Sequence, residues 1–328
     1  MTASISRRHW LAVGALSLAG WPGRGNTSPD FPERAVRLVV PYSVGVGPDV
    51  VARAIGERLS LAWGQPVVID NKPGASGIIA FGDVRRTPPD GHTLYVADTA
   101  TMAINPLMHD TLPYDPQRDL EPLSLLFRAT FVILTGAENR LRSMADLLAA
   151  ARSRPGSVSY ASLGHGHASQ VAVETFARAS GIRLLHVPFK DAGALFTSVA
   201  KGEVDFTVFS LNTVAGLVAA GKLRPLAVAA RQRLASHPTL PTVAEAGGPP
   251  TEMHPWAALV TVAGTPAPVL SRLQRDIVAA LSSPEVRARA EQAGFEITPS
   301  TPQALREQVA ADRALYAPLV EDGRLVRP

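Results

Sequence analysis

From Ala35 onward, short apolar runs alternate with segments whose apolar residues recur every three or four positions. Residues 35–41 are almost continuously aliphatic and predict a buried strand. Beyond it, Val51, Ile55 and Leu59 share one face of a predicted helix that Gly64 stops. Pro48 suits the first helical turn, where its missing N–H is not needed, and Asp49 complements the positive end of the helix dipole. Further strands are predicted at 67–69, 94–97, 131–134, 158–161, 184–187, 204–208, 226–229 and 258–261. Ser143 with Asp146 forms a capping-box start for a helix through Ala151, and Thr301-Pro302 opens another that runs toward Leu319. Val286 and Ala290, beside an Arg-rich face, read as a solvated surface helix. Alternating β and α elements with apolar strands predict an α/β protein of two open, mainly parallel sheets flanked by helices. Proline-rich stretches at 106–122 and 237–255 interrupt the alternation and are read as lying near the domain junctions.

Four glycine-bearing loops lead from an apolar run into a predicted helix, at 43–49, 71–77, 164–169 and 188–193. Such loops present backbone N–H groups at the positive end of a helix dipole and bind carboxylate or phosphate without a charged side chain. In open parallel sheets ligands sit beyond the carboxyl ends of the strands. Loops 43–49 and 164–169, placed in different domains, would face each other across a cleft that closes on a small anion.

Composition narrows the class. The 328 residues suffice for one large or two ordinary domains. There is no cysteine, which excludes disulfides, thiolate metal sites and a cysteine nucleophile. Arg7-Arg8 followed by Trp10-Leu11 and a short apolar run to Trp21 is similar to a twin-arginine export signal, and the run is too short to span a bilayer. With residues 1–27 set aside as a signal peptide, the formal net charge of +4 falls to about +1. Nothing then favours nucleic acid.

The motifs, taken in order, resemble one family. They are 35–49, Gln65-Pro66-Val67-Val68-Ile69-Asp70-Asn71-Lys72-Pro73-Gly74, Pro89-Asp90-Gly91, Ala103-Ile104-Asn105-Pro106, Leu112-Pro113-Tyr114-Asp115-Pro116, His186-Val187-Pro188-Phe189-Lys190, Lys222-Leu223-Arg224-Pro225, Leu240-Pro241-Thr242-Val243 and Ala263-Gly264-Thr265-Pro266. From about Phe31 to the C-terminus the chain resembles the receptors of tripartite tricarboxylate transporters, the Bug family. The resemblance implies a periplasmic, monomeric solute receptor of the type II periplasmic-binding-protein fold, without cofactor or metal. Its two lobes would be 28–127 with 252–328, and 128–251. It would capture a small organic acid and deliver it to membrane transporter subunits or a membrane sensor.

Carried over residue by residue, the resemblance places Tyr42, Ser43, Val44, Gly45, Val46, Gly47 and Asp49 at the ligand from the first loop. Thr99, Ala100 and Thr101, in the segment that starts at Asp98, join them from the same lobe. Gly164, His165, Gly166, Ser169, Phe189 and Phe209 come from the second lobe. The family's usual Pro-Pro-Gly-Gly is replaced by Ser43, Val44, Gly45 and Val46, and Phe209-Ser210 stands where Asp-Asn is common. The lost carboxylate at 209 leads us to expect a simple or apolar acid rather than an amino acid.

Competing chemistry is poorly supported by the residues. Gly45-x-Gly47 lacks the third glycine of a dinucleotide fingerprint, since Val50 stands there. His165 and His167 read as cleft-lining or exposed loop residues rather than metal ligands, with no acidic partner nearby. If either meets the ligand, protonation near pH ~6.5 would strengthen anion binding. Lys190 reads equally as a counter-ion or a solvated residue, and Trp256 as interlobe packing. An α/β enzyme acting on a small carboxylate is the alternative, but no G-x-S-x-G elbow is present.

Overall fold

A computed structural model describes residues 31–45 and 47–326. The export-signal reading and Val46 therefore lie outside the described residues. The chain begins with β1 (Val36–Val40), α1 (Gly47–Trp63), β2 (Val67–Asn71), α2 (Ile78–Val84) and β3 (Thr93–Asp98). Wide helical turns at Ala100–Ile104 then run into α3 (Asn105–Met108), followed by α4 (Pro116–Asp119) and the long β4 (Leu120–Ala129). A second set comprises β5 (Val132–Gly136), α5 (Met144–Ser153), β6 (Ser159–Ser162), α6 (Ala168–Ala179), β7 (Leu185–Pro188), α7 (Ala192–Ala200), β8 (Phe206–Phe209), α8 (Ala215–Ala219) and β9 (Leu223–Val228). The chain ends with β10 (Trp256–Val262), α9 (Ala267–Leu281), α10 (Pro284–Gln292), β11 (Phe295–Ile297) and α11 (Pro302–Glu321).

Two sheets result, ordered β11-β4-β10-β3-β1-β2 and β7-β6-β8-β5-β9. The two-sheet α/β class stands, but each sheet is mixed rather than mainly parallel. In the first, β1 runs parallel to β2 and β3, whereas β10 is antiparallel to both β3 and β4. In the second, β6 is parallel to β7 and β8, and β5 is antiparallel to β8 and β9. β5 and β10 follow the passages between sheets, out through 130–131 and back before β10, and the short β11 is antiparallel to β4 as well. Apolar character reports burial on both faces of a strand, not its direction.

The predicted caps form. Asp146 N–H donates to Ser143 Oγ at 3.1 Å, Ala304 N–H to Thr301 Oγ1 at 3.1 Å, and Gly64 closes α1 at φ +64°. α10 is more than a solvated surface helix: Val286 and Ala290 are fully buried in the first lobe's core while its arginines stay outside. Each sheet has an apolar cluster on both faces, as its helical cover requires. A fifth cluster joins the lobes, with Ala100, Ile104 and Met108 meeting Val171, Leu319 and Leu325. β4 was not predicted because Pro122 made its start look like connection. In the structure Pro122 lies opposite Val260, next to a register shift in β10, where a proline's missing donor is tolerated.

Candidate functional site

All four glycine loops stand at carboxyl ends of strands, joining β1 to α1, β2 to α2, β6 to α6 and β7 to α7. Two of them, 71–77 and 164–169, border a cavity of about 230 Å³ between the lobes, and Pro41 and Tyr42, just ahead of the first, reach it as well. The first lobe lines it with Pro41, Tyr42, Gly74, Ser76, Gly77, Asp98, Thr99 and Ala100. The second contributes Leu163, His167 and Ala168, and Pro255 and Trp256 close it from the returning strand.

On the first wall, Asp98 ends β3. Its Oδ1 accepts Thr101 N–H at 2.7 Å and Thr101 Oγ1–H at 2.6 Å, and its Oδ2 accepts the Tyr42 hydroxyl proton. Burial, then the Asp98 charge, pushes the Tyr42 pKa well above its ordinary value, so Tyr42 remains a donor. Behind this pair Thr101 Oγ1 lies 3.2 Å from the Tyr95 hydroxyl. Gly77 fits here only as glycine: at φ +84° an added Cβ would sit 2.8 Å from both Thr101 Oγ1 and the Tyr95 hydroxyl.

On the second wall, His167 caps α6. Its Nδ1 accepts Ser169 N–H at 3.1 Å, which places the proton of the neutral ring on Nε2. Burial pushes the His167 pKa down to about 4 against the opposing pull of Asp98 across the cleft. The imidazole is therefore neutral at pH 7, and the N-terminus of α6 opens beside it.

The loop leading into α6 is held by a relay of hydrogen bonds. Gly166 N–H donates to Gln170 Oε1 at 2.7 Å, which turns the Gln170 amide N–H toward His186 Nδ1 at 3.2 Å. His186 Nδ1 then accepts, so Nε2–H faces Ser162 Oγ at 2.7 Å, and Ser162 Oγ–H donates to Gly164 O at 3.1 Å. Burial, aided by His165, lowers the His186 pKa to about 4. In this assignment the imidazole donates to Ser162 instead of taking its proton. This Ser–His contact therefore lacks the direction of an activated nucleophile, which counts against hydrolysis.

The sequence-derived site residues divide by location. Tyr42, Thr99 and Ala100 line the cavity. Ser43, Val44 and Gly45 continue from Tyr42 onto the exposed rim, and Gly47 packs under the Phe295 ring. Asp49 is fully buried and turned into its own lobe, accepting Gly45 N–H at 2.8 Å, Arg53 Nε–H at 2.9 Å and Asn71 Nδ2–H at 2.7 Å. Burial alone would raise its pKa; the donors Arg53, Asn71 and Gly45 outweigh it and hold the carboxyl below its usual range. Thr101 is buried behind Asp98, and Ser169 beneath His167. Gly164 and Gly166 belong to the hydrogen-bonded loop, and His165 is exposed edge-on to His186. Phe189 packs on the second lobe's core, and Phe209 lies within that core between Phe131 and Phe196. Lys190 is exposed and outside the lining. The sequence names Asp98 only as the start of the 98–101 segment, and it assigns no ligand role to the lining residues Pro41, Gly74, Ser76, Gly77, Leu163, Ala168 and Pro255. Trp256 serves both lining and packing, its Nε1–H donating to Asp312 Oδ2 at 2.6 Å.

Two α/β lobes, a double crossover and a cavity between facing strand tips define a two-lobed solute-binding protein. The chain belongs to the tripartite tricarboxylate transporter family receptors, whose family model matches residues 51–324. It is 32% identical over 324 residues to the UPF0065 protein of the tcbD-tcbE intergenic region of Pseudomonas sp. strain P51, covering 98% of this chain and 96% of that one. Among solved structures, the R. palustris protein Rpa4515 with adipate is 32% identical with a TM-score of 0.81, covering 90% of this chain and 99% of that one. The periplasmic binding protein BugD is 27% identical with a TM-score of 0.78, covering 91% and 100%.

Proposed function

We propose that this protein is a periplasmic receptor that captures a small organic carboxylate between its lobes and presents it to a membrane transporter or sensor, performing no chemistry. The carrying observation is the cavity itself, bordered by strand-tip loops of both lobes and open to the N-terminus of α6. Capture of adipate by a relative of the same architecture supports the carboxylate. Residues 28–127 with 252–328, and 128–251, act as the two closing bodies, and the unit is a monomer. Of the sequence-derived ligand residues, we place Tyr42, Thr99 and Ala100 against the ligand, with His165, Gly164 and Gly166 shaping the opposite loop. The ligand stabilises the closed state by its differential affinity for it.

Thermal-shift screening of the mature protein against a panel of organic acids tests this. At about 100 times its dissociation constant a true ligand adds roughly 2.7 kcal/mol of stability. No shift with any acid, together with turnover of a panel member, would move the assignment to an enzyme.

A further inference from the structure

We propose that Asp98 makes the cleft selective for a carboxylate that also carries a protonated amine, and selects against dianions. This rests on the carboxylate-receptor reading above. The cavity lining contains one carboxylate, Asp98, and no lysine or arginine. The one imidazole in the lining, His167, is neutral at pH 7 and supplies a donor without supplying charge. A ligand entering this space therefore meets a net negative wall. Like charges a few ångströms apart in a water-poor cleft repel strongly, and a second carboxylate on the ligand compounds the repulsion.

The two walls have opposite polarity. On the second-lobe side lie the N-terminus of the twelve-residue α6 and the His167 Nε2–H, which suit the ligand's carboxylate. On the first-lobe side Asp98 already accepts three hydrogen bonds, from Tyr42 and twice from Thr101. A carboxylate offers about four acceptor positions, so one remains on Oδ2, and Asp98 is partly exposed and lines the cavity. An ammonium group satisfies that position and cancels the charge. Phe209, which stands where the family's ligand-facing carboxylate is common, is packed into the second lobe's core and does not bear on an amino ligand. The carboxylate of this cleft comes from the end of β3 instead.

The test is calorimetric binding of wild type and Asp98→Asn to matched pairs: adipate with 6-aminohexanoate, and succinate with aspartate, with 6-hydroxyhexanoate as neutral-donor control. In the wild type the amino member of at least one pair binds about tenfold or more tighter, and Asp98→Asn reduces that ratio by about tenfold or more. Asp98→Ser, which also removes the charge but keeps an acceptor for Thr101, reduces the ratio in the same way and serves if Asp98→Asn does not fold. A wild type that prefers the dicarboxylate in every pair, a ratio unchanged in Asp98→Asn, or equal binding of the hydroxy and amino acids would each overturn the proposal while leaving a carboxylate receptor. Binding of no acid at all would overturn the receptor reading and this proposal together.

Discussion

Arg324, just beyond α11, donates across the lobes to Glu174 Oε2 on α6 at 3.3 Å and to Ile182 O at 3.2 Å. Glu174 also accepts the Tyr160 hydroxyl at 2.7 Å, and burial raises its pKa against the pull of both donors. The tie adjoins the apolar cluster in which Leu319 and Leu325 meet Val171. A different kind of contact bridges the lobes elsewhere, where Asn212 Nδ2–H donates to Glu291 O at 2.7 Å between exposed residues. The Arg324 contact is thus buried and charged and the Asn212 contact exposed and neutral, while a third, Arg178 Nε–H to Asp322 Oδ2 at 2.7 Å, is exposed and charged.

Arg324→Ala strands Glu174 in a buried site with only Tyr160 beside it. We expect a loss of about 2–4 kcal/mol in chemical denaturation. The double variant with Glu174→Gln should lose less than the sum of the two single variants.

Gly294 lets the lobes approach. At φ +85° an added Cβ would lie 2.9 Å from both Asn212 Cβ and Ser210 Oγ of the other lobe. Gly294→Val should wedge the cleft open, increase the radius of gyration in solution scattering and weaken ligand binding about tenfold or more. An unchanged radius with unchanged affinity would show that the lobes do not need this approach.

Gly77→Ala introduces strain at φ +84° and a collision with Tyr95 and Thr101. The left-handed backbone alone costs about 1 kcal/mol or more. Because Gly77 borders the cavity, both the melting temperature and ligand affinity should fall.

Acid should weaken the fold through buried imidazoles, His167 and His186 foremost and His254 in the same direction. His167 and His186 titrate at about 4 in the folded chain, below the ordinary histidine value of about 6.5. Their contribution is complete above pH ~6.5 and is lost as pH falls toward pH ~4, because the unfolded chain takes up the protons first. Glu174 and Asp312, whose pKa values burial raises, act in the opposite direction, favouring the folded state as pH falls through their raised values. The discriminating measurement is therefore the difference between variants: His186→Gln should show a shallower fall in melting temperature from pH 7 to 5 than wild type. Tightening of binding near pH ~6.5 is not expected from His167, since burial keeps it neutral there; affinity for a fully ionised acid should stay flat from pH 5.5 to 8 as far as this residue is concerned.

Gln170→Ala removes the acceptor of the Gly166 N–H, a change of about 1–2 kcal/mol when a buried donor is left unpaired. Amide exchange at residues 163–167 should speed up, and affinity should fall with it. Unaltered exchange there would mean that the loop is held by its backbone alone.

Much of the fold was legible because its signals are local. Aliphatic runs located nine of the strands, and Ser143, Thr301 and Gly64 marked helix ends through their own side chains or φ values. β4 was not legible, since Pro122 signals a break unless the bulged partner β10 is known. Strand direction was also hidden, because it depends on where the chain crosses between lobes. At the site, loop positions could be read but side-chain direction could not. Asp49 and Phe209 turn inward, whereas Asp98, one residue ahead of the Thr99 hydroxyl read as a contact, lines the ligand space. Such choices are made by packing partners distant in sequence, such as Asn71 for Asp49 and Phe131 for Phe209.

The position of β10 between β3 and β4 has a consequence for biosynthesis. All five strands of the second sheet have been made once residue 228 is reached, but the first sheet lacks its middle strand until residue 262. During vectorial emergence of the chain, the inserted lobe has its whole sheet available while the lobe that begins the sequence is still split. The earlier-made half must wait for the later one, so the nascent chain exposes the apolar flanks of β3 and β4 until β10 arrives to join them.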